Sequence, residues 1–213
     1  MSKASPPIAI AGAGHVGHAL ADALLARGYA VRLGVPQPAR YRHLETGPAI
    51  RVTELPEAIG PAELVILATP YAAALQVARS LPDWQQRILV DATNPIAPGL
   101  SGLLVGTTTS GAEEIASLAR GARVVKAFNT TGFENMRDPH LPGADVMMPV
   151  AADDDAARQR VMALATELGF DATDLGPLKS ARYLEPMAMV WIEMAMRRGQ
   201  GRRFGFVRVE AAG

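Results

Sequence analysis

Short apolar runs alternate with longer stretches of helical spacing along almost the whole chain. Residues 7–11 form a compact apolar run. Over 15–27, Ala19, Leu20, Ala23 and Leu24 recur on one helical face, and Gly28 marks the stop. Strand-like runs follow at 30–33 and 49–53, with 36–48 irregular between them. The run Leu-Val-Ile-Leu-Ala over 64–68 has no polar member, the pattern of a strand covered by helices on both faces. A helix is predicted over 71–80, a strand over 87–91, a helix over 111–120 and a strand over 123–128. A strand at 146–150 precedes a helix over 153–168, whose three leading acids complement the helix dipole. A strand at 171–174, a long helix over 181–198 and a terminal strand at 204–209 complete the series. Strands alternating with helices predict an α/β fold with an open, mainly parallel, doubly wound sheet. There is no internal repeat and no long linker, so 1–213 reads as a single domain. From about residue 176 onward it carries a short C-terminal helix–strand elaboration.

Composition narrows the field. A chain of 213 residues, 49% hydrophobic, suits one well-filled domain. Lys plus Arg equals Asp plus Glu at 21 each, which argues against a nucleic-acid partner. The absence of cysteine removes disulfides, thiolate metal sites and thiol catalysis. Residues 1–7 are polar with one lysine, and no segment matches a signal peptide or a membrane span. A cytoplasmic protein without a membrane partner is the expectation.

The sharpest chemical signal is the turn Gly12-Ala13-Gly14-His15-Val16-Gly17, set between an apolar strand and a helix at the start of the chain. That context lifts a GxGxxG pattern to a dinucleotide-binding fingerprint on a Rossmann-type fold. Gly12 permits the tight turn, Gly14 lets backbone approach a pyrophosphate, and Gly17 lets the helix pack closely on the strand. The exposed amides and the positive end of the helix dipole favour the phosphate charge.

The adenosine end is read from the close of the second strand, where NAD enzymes of this fold place an acid. Here the sequence is Arg32-Leu33-Gly34-Val35-Pro36, without an acid, and Arg40 and Arg42 follow. This favours NADP over NAD, with Arg40 a candidate for the 2′-phosphate. His15 and His18 have the spacing of a metal pair, but no carboxylate completes a set, so no metal is predicted. Asp91, at a strand end beside the crevice, could bond the cofactor or cap the following turn, and capping is favoured. Alternation within Val124-Val125-Lys126-Ala127 makes Lys126 a snorkelling side chain.

Beyond the turn, further segments repeat a known pattern in order and spacing. They are GAGHVGHALADAL from Gly12, DATNP at 91–95, SGAEEIA at 110–116, RVVKAFNTTGFENM at 123–136 and GFDATDLGPLKSARYLEPMAMVWIEMA at 169–195. Together they resemble the NADPH-dependent coenzyme F420 reductases, the F420-dependent NADP oxidoreductase family. The resemblance implies a homodimer that passes a hydride between NADP and a 5-deazaflavin (coenzyme F420). It also implies that Gly12 to Gly17 cradle the pyrophosphate, with Thr69 and Pro70 near the cofactor's centre. Asn94 and Pro95 would follow along the crevice, and Ala127 and Asn129 would border the nicotinamide and the acceptor. The family commonly carries Ser or Arg directly after the second strand. This chain has Gly34-Val35-Pro36-Gln37-Pro38 there, so the arginine is displaced to Arg40 or beyond. Flavin- and metal-reducing relatives in the broad family leave the acceptor open to a flavin.

The chemistry agrees with that resemblance. Hydride transfer between two redox rings needs alignment more than acids or bases, and no nucleophile–base motif is present. Too little chain remains beyond the sheet for a deep substrate domain, so a small-molecule acceptor must enter the open crevice or a subunit boundary. Apolar residues from Leu184 to Ala195 cover more than one face of the last helix, which suits packing on the sheet plus contact with a second copy. The alternatives are a reductase of a small imine, quinone or metal chelate, and a non-catalytic NADP-sensing protein.

Overall fold

Strand β1 (Ile8–Ala11) is buried on both faces. Ile8 and Ile10 pack with Leu20 and Leu24, while Ala9 and Ala11 pack with Ala74 and Ile115. A strand whose two faces both meet helices has no room for polar side chains, which is why these runs carry none. The computed structural model describes residues 6–209 and 211, so the polar lead-in over 1–5 and the last residues of the 1–213 span lie outside the described residues.

The remaining strands are β2 (Val31–Gly34), β3 (Ile50–Thr53), β4 (Leu64–Leu67), β5 (Ile88–Asp91) and β6 (Arg123–Lys126), then the pair β7 (His140–Leu141) and β8 (Ala144–Asp145), then β9 (Met147–Ala152) and β10 (Asp171–Asp174). Eight of them form one sheet in the order β10-β9-β6-β5-β4-β1-β2-β3, and β7 with β8 form a separate hairpin. β1 to β6 all run parallel. β9 joins β6 antiparallel, and β10 lies parallel to β9. The α/β, doubly wound, mainly parallel sheet is therefore as the pattern predicts. The order reverses beside β1, with β2 on one side and β4 on the other. Such a switch point leaves a crevice at the carboxyl ends of the strands.

Helices α1 (His15–Ala26) and α6 (Asp155–Glu167) cover one face, and α3 (Tyr71–Arg79) and α4 (Gly111–Leu118) the other. Two short helices, α2 (Leu55–Ile59) and α5 (Phe133–Arg137), were not foreseen, since five residues are too few to show a periodicity. The stretch 36–48 contains a 3₁₀ segment, Pro38–Leu44. α7 (Ala181–Ile192) ends earlier than predicted and continues as a π-helical turn, Glu193–Arg197.

The C-terminal strand over 204–209 is a correction. One ladder-like bond forms, from the Met147 N–H to the Phe206 carbonyl at 2.8 Å, and no regular strand follows. The Phe204 carbonyl instead accepts from Asn135 Nδ2 at 2.7 Å and Trp191 Nε1 at 3.1 Å, while its ring stacks on Trp191. A segment whose carbonyl is spent on side chains cannot run a continuous ladder there. Among the described residues no helix is long and apolar enough to cross a membrane.

Candidate active site

The glycine turn owes its shape to two close approaches. Gly12 has φ +106°, and a Cβ there would sit 2.6 Å from the Ala68 carbonyl. A Cβ on Gly17 would sit 2.2 Å from the Gly12 carbonyl, so α1 can lie this near the strand only with glycine present. Gly14 is different. A Cβ on it would meet nothing within 4 Å, and its φ of −72° is ordinary. Gly14 thus keeps space open in front of the turn. Gly14 caps α1 without a side-chain hydrogen bond, and no acid occupies the first turn. The N-terminal amides of the helix are accordingly available to an anion.

Three neighbouring hollows that share lining residues lie along the turn at the switch point. The central one, about 390 Å³, is lined by Gly14, His15, Val16, Thr69, Pro70 and Asn94 among others. On the β2 side it shares Thr69 with one of about 450 Å³ that reaches Gly12, Val35, Pro36 and Glu54. On the β6 side it shares Val16, Asn94, Phe133 and Arg202 with one of about 220 Å³ that reaches Asn129, Trp191 and Ile192. Thr69 Oγ1 is buried without a hydrogen-bond partner at the junction of the first two. An open glycine cradle, uncapped helix amides and an orphaned hydroxyl fit an elongated, phosphate-bearing ligand laid across the switch point.

Of the sequence candidates, the central hollow brings together Gly14, His15, Val16, Thr69, Pro70 and Asn94. Gly17 lies buried beneath the turn, and Ala13 packs against the core. Asn129 faces the β6-side hollow. Ala127 is fully buried in the core and Pro95 is buried against the position of Gly111, and neither lines any of these three hollows. Arg40 is exposed, makes no side-chain bond among the described residues, and lies outside the β2-side hollow. Among the described residues the one charged side chain lining that hollow is Glu54. His18 pairs with Asp22 at 3.6 Å, and His15 stacks on Phe133 with centroids 4.8 Å apart.

Asn94 and Asn129 clasp each other. Asn94 Nδ2 donates to the Asn129 carbonyl at 2.9 Å, and Asn129 Nδ2 donates to Asn94 Oδ1 at 2.9 Å. Phe128, just before, takes φ +60°, a left-handed conformation costing a non-glycine residue roughly 1–3 kcal/mol. That bend turns the chain at the end of β6 toward Asn94. Asn129 Oδ1 remains buried and unpartnered.

Beneath this loop lies a charge cluster that the sequence reading missed. Lys126 is fully buried and does not snorkel, because helices cover both faces of β6. Its ammonium donates to Asp91 Oδ2 at 2.8 Å and the Thr93 carbonyl at 2.6 Å, and pairs with Glu185 Oε1 at 3.0 Å. Two hydrogen bonds and a second carboxylate at ion-pair distance therefore surround the ammonium. Asp91 caps the turn as expected, its Oδ1 accepting from the Thr93 N–H and hydroxyl. Glu185 accepts the Gly111 and Ala112 N–H groups at the start of α4. Holding the Thr93 carbonyl on Lys126 turns the next N–H, that of Asn94, the opposite way, since the two point apart in a trans peptide. A Lys in an apolar strand and a Glu in an apolar helix face were the available signal. Each needs the other to be buried.

Tyr71 also lines the central hollow, and its hydroxyl donates to Glu114 Oε2 at 2.5 Å. Burial, then the neighbouring Glu114, push its phenol well above its ordinary range, so it stays protonated.

Comparison with known proteins places this geometry. The family model for coenzyme F420-dependent NADP oxidoreductases matches residues 7–95. The crystal structure of a candidate F420-dependent NADP reductase from Arthrobacter sp. FB24 is 30% identical with a TM-score of 0.87, covering 97% of this chain and 100% of that one. A hypothetical protein of Sinorhizobium meliloti is 31% identical with a TM-score of 0.75, covering 83% of this chain and 88% of that one. The metalloreductase STEAP3 of Rattus norvegicus is 30% identical over 190 residues, which is 88% of this chain. The chain spans only 37% of the length of that relative. The chain belongs to the coenzyme F420-dependent NADP oxidoreductase family, and with it to the NAD(P)-dependent oxidoreductases.

Proposed function

We propose that this enzyme moves a hydride between NADP and a small planar acceptor, a deazaflavin of the coenzyme F420 type or a flavin. The observation that carries this is the row of three hollows, neighbours sharing lining residues, beside an uncapped helix N-terminus. In this reading Gly12 to Gly17 bind the pyrophosphate, with Thr69 and Pro70 beside it. Asn94 and Asn129 border the nicotinamide, and the β6-side hollow admits the acceptor. Pro95 and Ala127 shape the crevice from behind. The dinucleotide supplies the hydride, and the chain supplies binding, alignment and exclusion of water. Exposed Tyr183 and Val190 on α7 support pairing of two copies.

The test uses NADPH deuterated on the carbon that gives the hydride, with coenzyme F420, FMN and a ferric chelate as separate acceptors. Oxidation of NADPH should require an acceptor, and deuterium should appear on the ring carbon of the reduced deazaflavin. Turnover with the ferric chelate alone would favour the metalloreductase reading. No turnover with F420 or FMN would overturn the proposal.

At the adenosine end, Arg40 takes the 2′-phosphate although Glu54 is the charge lining the hollow. Arg40→Ala should raise the KM for NADPH about tenfold, the worth of one charge-assisted bond of about 1.4 kcal/mol, and leave that for NADH unchanged. Equal KM changes for both cofactors, or none, would remove Arg40 from the site.

A further inference from the structure

Among the described residues Arg202 is the only charged side chain lining the β6-side hollow, and it also lines the central one. Its guanidinium lies over the Phe133 ring at 4.9 Å and over the Trp191 ring at 5.4 Å. His15 stacks on Phe133, and Phe204 stacks on Trp191 with centroids 5.4 Å apart. The result is one row of flat groups running from the glycine turn to the C-terminal segment. Nε of Arg202 donates to Glu134, and Nη1 reaches Met196 Sδ at 2.8 Å. Nη2 has no protein partner among the described residues. The rings fix the plane of the fork, so an anion arriving at its free edge meets donors whose ordering cost is already met. The same hollow holds the buried, unpartnered Asn129 Oδ1, which can accept an N–H.

We propose that Arg202 determines acceptor specificity, its Nη2 taking an anionic oxygen of the flat ring system that enters the β6-side hollow. The inference rests on the acceptor reading above. The anionic oxygen has two possible sources, a phosphate on the acceptor's side chain or an ionised hydroxyl on its ring. Neither a neutral nor a cationic acceptor would gain from this contact.

Equilibrium binding to the NADP⁺-loaded protein separates these sources. The probes are riboflavin, which has neither anion, FMN, which adds only a phosphate, and 8-hydroxy-5-deazariboflavin, which carries only the ring hydroxyl. The wild type should bind at least one anionic probe about tenfold more tightly than riboflavin, with the gap shrinking as salt rises. Arg202→Met, which keeps the apolar stem between the rings, should bring that probe to the riboflavin level and leave riboflavin unchanged, with NADP⁺ held at saturation for both proteins. A gap for FMN identifies the phosphate, and a gap for the deazaflavin identifies the ring oxygen. Equal binding of all three probes by the wild type would overturn the inference. So would an equal loss for all three in the variant, or no binding of any probe. Turnover of the same probes in separate samples, with NADPH in place of NADP⁺ as the hydride donor, reports on the hydride reading separately. Turnover without charge selectivity keeps that reading and removes the role of Arg202, whereas charge selectivity without turnover does the reverse.

Discussion

Lys126→Met should destabilise the folded chain by about 3–5 kcal/mol, the cost of stranding buried charge. In a chain of this size that lowers Tm by about 6–20 °C. Asp91 and Glu185 are both fully buried, and Lys126 is the cation each of them pairs with. Methionine fills a similar volume, so the loss reports charge and hydrogen bonding rather than a cavity. Adding Asp91→Asn removes one stranded charge, and the double variant should recover part of the deficit, as expected for groups in one network. Urea unfolding of the two variants and the wild type measures both effects. A loss below about 1 kcal/mol for Lys126→Met would mean that the cluster does not hold the loop, against the pairing described above.

That cluster also shows where reading the sequence stops. The glycine turn was legible because each glycine answers a local demand: a positive φ at Gly12, a backbone contact at Gly17 and open space at Gly14. The central strands were legible because burial on both faces leaves unbroken apolar runs such as Leu64–Leu67. Lys126 was misread because alternation suggests an outward face, and β6 has no outward face. Its partners come from β5 and α7, and no local pattern links them. Arg202 carried no signal either, since its role depends on Phe133 and Trp191 arriving from two other elements. The segment 204–209 misled in the opposite sense. Its alternating residues look like a strand, yet the Phe204 carbonyl is held by side chains from α5 and α7. Arg40, a candidate by its position after β2, is exposed and is not among the residues lining the β2-side hollow, so the 2′-phosphate assignment rests on the Arg40→Ala comparison.

Gly14→Val should weaken NADP⁺ binding at least 100-fold, about 2.7 kcal/mol, without unfolding the protein. The three glycines separate cleanly on this point. Side chains at Gly12 or Gly17 collide with backbone, so their loss would confuse binding with folding. A side chain at Gly14 meets only empty space, and its φ of −72° suits any residue. Valine is a poorer helix cap than glycine, at a cost of up to about 1 kcal/mol, which lowers Tm by no more than about 4 °C. The space it fills is where the pyrophosphate must approach the helix amides. Calorimetric titration of NADP⁺ into wild type and Gly14→Val, with melting curves for both, is therefore the most direct test of the site. The account predicts one bound dinucleotide per wild-type chain, at least a 100-fold loss in the variant, and nearly equal melting temperatures. Equal affinity of the two proteins would contradict it.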